Sequence, residues 1–250
     1  MKKPGFLVAA LGPFRGFVFL QEHPALIRFL LIPWALLLFF LGAFAFLSFT
    51  FFPDLQGWLL GDMEGFFRSV LSIFLAIMLG LVAILLAFLF SQLLSAPIYT
   101  RLAAETRSLY TGIPARPAGG VYADVVLPIL SQAQKIVLFL VPQVPLLLLN
   151  LVPVVGSIVY LALNTVFTLF WIAMDYFDYP LDTESHPLTV TNRIQYVFQH
   201  FPMTSGFSAT MMLVLYIPVV NLLVLPVGVI GATLLHCDMI QAESNTETSL

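Results

Sequence analysis

The sequence predicts an all-α integral membrane protein: two long transmembrane helices, two partly penetrating helical hairpins broken by Pro, Gly and Asn, and short interfacial helices. Three observations carry this. Of 250 residues, 60% are hydrophobic and only 9% are charged, more apolar surface than a soluble domain needs. The charged residues leave four long runs free of Asp, Glu, Lys and Arg. The last two runs carry matching interruptions, "VPVVGS" at 152–157 and "IPVVNLLVLP" at 217–226.

Taken in order, Phe6–Gln21 reads as an interfacial helix interrupted at Gly12-Pro13. Lys2 and Lys3 precede it, but no short apolar region ends in a small-residue cleavage site, so it reads as mature sequence. The charge-free run after Arg28 is 25 residues long and the one after Arg68 is 32. Each holds a helix of about 20 residues, enough to cross a hydrocarbon core about 30 Å thick. These are the spans at 30–52 and 69–95. Pro33 falls in the first turn of the first span, where its missing N–H is harmless. Arg101–Tyr110 reads as a separate polar helix ending at Gly112, and "GIPARPAGG" at 112–120 as a loop. Ala123–Lys135 leads into the third run, with Pro128 near its start.

The third run, 136–174, has 39 residues and the fourth, 194–237, has 44, each too long for one span and tight for two. The breaks make them hairpins, at 136–174 and 205–237. The limbs of the first, 136–152 and 157–173, are about 25 Å long, with Pro142 and Pro145 distorting one of them. Those of the second, 206–217 and 226–236, are about 16–18 Å, roughly half a bilayer. Pro153 marks the first break; Pro218, Asn221 and Pro226 mark the second. Residues 1–242 form one membrane domain, and "ESNTETSL" at 243–250 is a polar tail expected to be disordered.

If both hairpins return, Lys2, Lys3, Arg15, Arg28, Arg101, Arg107, Arg116, Lys135 and Arg193 share one side of the bilayer and only Arg68 is opposite. The positive-inside rule then places both termini in the cytoplasm. Two full crossings per run preserve that partition, so charge leaves hairpin depth open. The net charge of −3 argues against a nucleic-acid partner. The single Cys237 excludes an intrachain disulfide and a multi-cysteine metal site. His23, His186, His200 and His236 lack paired ligand spacing, so neither metal nor cofactor is expected. Without a nucleophile–base motif or a zinc pair, the chain does not read as an enzyme.

A broken helix exposes backbone N–H and C=O groups, tolerable at membrane depth only against protein or water. The tips must meet each other, the long spans or another subunit, so a homo-oligomer is expected. Two readings stay open. In one the tips are packing turns, with Asn221 satisfying a backbone group. In the other, helices restart at Gly156-Ser157 and at Asn221 through Pro226, with their positive ends facing inward to hold an anion.

Taken by itself, Arg28 reads as a basic residue anchoring the cytoplasmic end of the first span. Arg101 and Glu105, four apart, can pair as a gate or as a surface pair. Asp175, Asp178 and Asp182, with Glu184 nearby, could hold a divalent cation. Their plainer reading is a helix exit at "DYP", where Pro180 ends the helix and the carboxylates meet water or cap backbone.

Five stretches, in order, resemble the CysZ-type sulfate permease family, which includes a eukaryotic endoplasmic-reticulum membrane protein: "HPALIRFLLIP" at 23–33, "SAPIYTRLAAE" at 95–105, "LVPVVGS" at 151–157, "DYFDYPLD" at 175–182 and "IPVVNLLVLPVGVIGATLLHCD" at 217–238. The resemblance implies two long spans, two partly penetrating hairpins, a structural role for the acidic motif, and sulfate uptake across the inner membrane feeding cysteine synthesis. It also implies two adjacent arginines at the sulfate entrance; here those positions are Ile27 and Arg28, so one remains. The eukaryotic relatives keep a second function in view: a membrane scaffold or biogenesis factor that transports nothing.

Overall fold

The computed structural model describes residues 3–61, 63, 65–114, 120, 122–183, 189–215 and 218–247, without the side chains of 123, 218–223, 246 and 247. Among the described residues there are nine α-helices and no strand: α1 (Phe6–Ala10), α2 (Gly12–Glu22), α3 (Arg28–Leu60), α4 (Phe66–Thr111), α5 (Leu127–Leu148), α6 (Val155–Asp182), α7 (Val190–Gln199), α8 (Phe201–Leu215) and α9 (Pro218–Glu247). Five of the helical segments are long and apolar enough to cross a membrane. The protein is an all-α, multi-pass integral membrane protein.

The chain divides into two compact units: Leu31–Ser95, and the remainder through Leu30 and from Ala96 onward. In the first, α3 and α4 lie antiparallel. Gly61 and Gly65, both at positive φ, make the reversal between them. Gln56 Nε2 donates to Ser72 Oγ at 2.8 Å near the turn, and Ser91 Oγ donates to the Pro33 carbonyl at 3.3 Å near the other end. Phe40 and Phe44 meet Phe90 between them. Phe39, Phe46, Phe49, Phe66, Phe67 and Phe74 face outward. An apolar face of that extent is not stable in water but matches lipid.

In the second unit α9 is the core. In its apolar segment, Val224–Asn245, 78% of the most apolar window is buried, against 6–17% for the other four segments. Its hydrophobicity is spent on protein: α2, α6 and α8 pack around it. Glycine makes the α2 contact possible. A Cβ on Gly16 would stand 2.3 Å from the Val227 carbonyl, and one on Gly231 2.4 Å from the Gly12 carbonyl. Both are below any real contact, so the backbones touch only because these side chains are absent. Phe207, Phe177, Met211, Ile230 and Leu235 fill the interior.

α5 and α6 form a hairpin held by Phe139, Phe167 and Trp171 in one ring cluster and by a Gln143–Asn164 hydrogen bond of 3.3 Å. At about 1.5 Å per residue the two helices are about 33 Å and 42 Å long. That is longer than the 25 Å limbs expected, because α5 begins before Lys135 and α6 runs past Met174 into the acidic motif.

The structure corrects further expectations. Arg101–Tyr110 is no separate helix: α4 continues through Pro97 to Thr111, and Gly112, at positive φ, ends it. Pro180 does not end α6; the helix continues to Asp182, since a proline close to a C-terminus deprives only the carbonyl of Tyr176. Around the second break, α8 stops at Leu215 and α9 begins at Pro218, so Asn221 and Pro226 lie within α9 and not at its start. The helix that follows is therefore 30 residues long, far beyond the expected 226–236 limb. The polar tail is helical through Glu247. Residues 216–217, Glu184 and His186 lie outside the described residues.

Candidate functional site

Arg28 opens α3 after a single 3-10 turn, Pro24–Ile27. His23 anchors that turn: its ring stacks on Phe19 at 4.2 Å and its Nδ1 lies 3.0 Å from the Phe19 carbonyl. The Arg28 guanidinium lies over the Phe29 ring, 4.9 Å from its centroid. Its Nη2 is 3.7 Å from Glu105 Oε1 on α4, with 65% of the arginine side chain exposed. At that separation the charges attract without a hydrogen bond, leaving the guanidinium donors open to an oxyanion. The partner of Glu105 is thus Arg28. Arg101, expected to pair with it, is exposed and makes no ion pair among the described residues.

The acidic motif is not a solvated helix exit. Spacings of three and four place Asp175, Asp178 and Asp182 on one face of α6. Two cations from neighbouring helices close on that face. Lys135 of α5 has its Nζ 3.1 Å from Asp175 Oδ1 and 2.9 Å from Asp178 Oδ2. Arg193 of α7 pairs with Asp178 through Nη1 and with Asp182 through Nη2, the latter at 2.5 Å. Lys135 is 3% exposed and Asp178 2%. Burial pulls the Arg193 guanidinium down to about 10, which still leaves it charged at neutral pH. Lys135 also stands 5.0 Å from the Tyr179 ring centroid. With their carboxylates saturated by cations, these residues form no group suited to a metal ion among the described residues. Sequence reasoning counted Lys135 and Arg193 only as topological charges. The three-four spacing of the aspartates was the available signal, since buried carboxylates on one face require cations opposite.

Gly156 and Ser157 sit in the first turn of α6. The reversal before them is tight: Val154 has φ of 65°, and a Cβ on Gly156 would stand 1.9 Å from the Leu149 carbonyl. Most of the turn's donors are spent locally. The Val155 N–H donates to the Pro153 carbonyl at 2.8 Å, Gly156 to Val152 at 3.1 Å, and Ile158 to Val154 at 3.1 Å. Gly156 is buried while Ser157 is exposed, among exposed Leu151, Val152, Val154 and Ile158.

The predicted anion residues do not converge. Gly156 and Asp178 are about 33 Å apart along α6. Arg107 Nη1 donates to Thr183 Oγ1 at 3.1 Å, and Tyr99 meets Tyr179 with ring centroids 5.5 Å apart. The Glu105 segment of α4 therefore lies beside the C-terminal end of α6, away from Gly156. Arg28 and Gly156 belong to opposite ends of this unit. Asn221 lies within α9, and its side chain is outside the described residues.

The family model described as "Sulfate transporter CysZ/Etoposide-induced protein 2.4" matches residues 12–226. The chain belongs to this family. Among its curated relatives, a sulfate transporter CysZ of Pseudomonas fluorescens (strain Pf0-1) is 31% identical over 226 residues, covering 84% of this chain and 86% of the relative. One from Pectobacterium atrosepticum is 25% identical, covering 86% of this chain and 79% of the relative. One from Vibrio parahaemolyticus is 27% identical, covering 86% and 88%. Within this CysZ/etoposide-induced family, the matched span takes in Arg28, Glu105, the hairpin tip and the whole acidic motif, but stops at Pro226, short of most of α9.

Proposed function

We propose that this protein is an inner-membrane permease for an inorganic oxyanion, with sulfate as its substrate, working as a homo-oligomer with both termini in the cytoplasm. The observation that carries the reading is the exposed Arg28 guanidinium, held only loosely by Glu105 at 3.7 Å. Sulfate carries two charges and presents paired oxygens to the planar fork, so it outcompetes a single carboxylate at that distance. With the N-terminus in the cytoplasm, Arg28 at the start of α3 is the contact on the cytoplasmic side. Glu105 then repels the bound anion and keeps its residence short, as passage requires. At the other end of α6, Ser157 offers an exposed hydroxyl at a helix N-terminus as a second, weaker contact. The printed names of the relatives support sulfate as the anion. Arg28 with Ile27 before it reads as a site of lower affinity than a double arginine would make.

Radiolabelled sulfate uptake into proteoliposomes tests the proposal. Uptake above protein-free vesicles, reduced by excess selenate and unaffected by excess chloride, is the expected result. Uptake no faster than in protein-free vesicles would remove the permease reading and leave a scaffold.

A further inference from the structure

The N-terminal helices carry a feature that anion transport does not use. α2 turns Gly12, Gly16, Phe19 and Leu20 toward the protein and leaves Phe14, Phe17 and Val18 exposed, as is Leu11 just before it. Between α2, the C-terminal end of α4 and the middle of α9 lies a cavity of about 390 Å³. Its apolar walls are Leu11, Phe14, Val18, Phe19 and Leu234, and its polar lining is Arg15, Glu22 and Tyr110. Two of these polar groups are held in a network. Arg15 Nη1 donates to Asp238 Oδ2 at 2.7 Å, and the Tyr110 hydroxyl donates to Asp238 Oδ1 at 2.6 Å. Burial alone would lower the Arg15 pKa, but the hydrogen bond and charge of Asp238 outweigh it and raise the value, so the guanidinium stays charged. A guanidinium has five N–H donors, and Asp238 takes only part of them.

We infer that this groove holds one phospholipid of the leaflet nearest the N-terminus, with an acyl chain along Phe14, Val18 and Leu234 and the headgroup phosphate on Arg15. Three features choose a lipid over a soluble ligand. The groove is lined mainly by apolar side chains, with only Arg15, Glu22 and Tyr110 polar, as an amphiphile requires. Its outer wall is itself exposed and apolar, continuous with the face of α2. That helix passes through the four residues Pro24–Ile27 into α3, a lipid-facing span. Glu22, two turns (about 10 Å) along α2 from Arg15, favours a headgroup that also carries an amine.

Native mass spectrometry of the full-length protein, released gently from phosphatidylethanolamine–phosphatidylglycerol vesicles, reads the site. One retained phospholipid per chain is expected, with phosphatidylethanolamine preferred. Val18→Trp fills the groove from an exposed position, so folding is preserved. Retention should fall about tenfold, the effect of excluding roughly two methylenes. A fluorophore on Phe14→Cys, in a Cys237→Ser background, should be quenched by phospholipids brominated on the acyl chain and not by iodide. Absence of a retained lipid from wild type, or retention unchanged by Val18→Trp, would overturn the inference. So would quenching of the probe by iodide alone, or displacement of the lipid by inorganic phosphate, which would assign the site to a soluble anion.

Discussion

Lys135 Nζ lies 2.9 Å from Asp178 Oδ2, and Arg193 pairs with the other oxygen of the same carboxylate. One aspartate on α6 thus neutralises cations from α5 and α7 and joins three helices by charge. The arrangement is buried, so its removal is expensive: leaving a buried charge without its partner costs about 3–5 kcal/mol.

Asp178→Asn is therefore expected to lower the melting temperature in detergent more than Lys135→Met, because it strips two cations of a partner. Neither loss should be offset by raising salt, since buried pairs are poorly screened. Scanning calorimetry of the purified variants checks both points. A wild-type melting temperature for Asp178→Asn would show that the network contributes no stability.

The Gly16–Gly231 seam gives a second prediction. Gly16→Ala forces a methyl against the Val227 carbonyl and is expected to destabilise by about 1–3 kcal/mol. Gly42→Ala meets nothing within 4 Å and lies inside α3, so it is expected to be neutral or stabilising by about 0.5–1 kcal/mol. Thermal unfolding of the two variants side by side separates close approach from a general intolerance of glycine replacement.

These two sites differ in how far the sequence displayed them. The long apolar runs made α3 and α4 legible, because a helix that faces lipid needs nothing but length and hydrophobicity. The turn at Pro153–Gly156 was legible for the same reason: two breakers interrupt a run that has no other punctuation. The sequence shows α9 only as a short limb at 226–236, and its burial is not legible there, because an apolar helix buried in protein and one buried in lipid have the same composition. Only its neighbours, Gly12 and Gly16 on α2 and Phe207 on α8, tell them apart. The prolines misled at Pro180 and Pro226, where tertiary packing carries a helix past a residue that would end an isolated one. Arg28 was found through the family resemblance at 23–33, its position before a span alone marking only an anchor. Its partner Glu105 was not, because 77 positions separate them and local spacing offered Arg101 instead.

His200 supplies a pH prediction. Burial lowers its pKa below the ordinary 6.5, Glu243 at 3.8 Å partly opposes this, and Lys3 and His236 add to the lowering. The folded state therefore takes up this proton less readily than the unfolded state. Above pH 6.5 the effect vanishes. As pH falls through 6.5 the unfolded state protonates first and stability declines, until the lower folded-state value is passed. Melting temperatures at pH 7.5 and 5.5 should fall further for wild type than for His200→Gln. An equal fall in both would assign the acid sensitivity to other groups.

Orientation is tested by cysteine labelling in a Cys237→Ser background. Ser244→Cys is expected to react with an impermeant maleimide only after the cytoplasmic side is opened, and Met63→Cys from outside in intact cells. Labelling of Ser244→Cys from both sides would mean that the chain inserts in two orientations.

The central claim is that Arg28 receives the anion and Glu105 limits its stay. Initial rates of radiolabelled sulfate uptake, below saturation and at matched protein per vesicle, test it most directly. Arg28→Ala should lower the rate at least about tenfold, as loss of a charge-assisted contact of about 1.5–3 kcal/mol requires. Arg28→Lys should restore part of it, a point charge replacing a planar fork. Glu105→Gln should lower the half-saturating sulfate concentration. Wild-type rates for Arg28→Ala, with an unchanged half-saturating concentration for Glu105→Gln, would contradict the account.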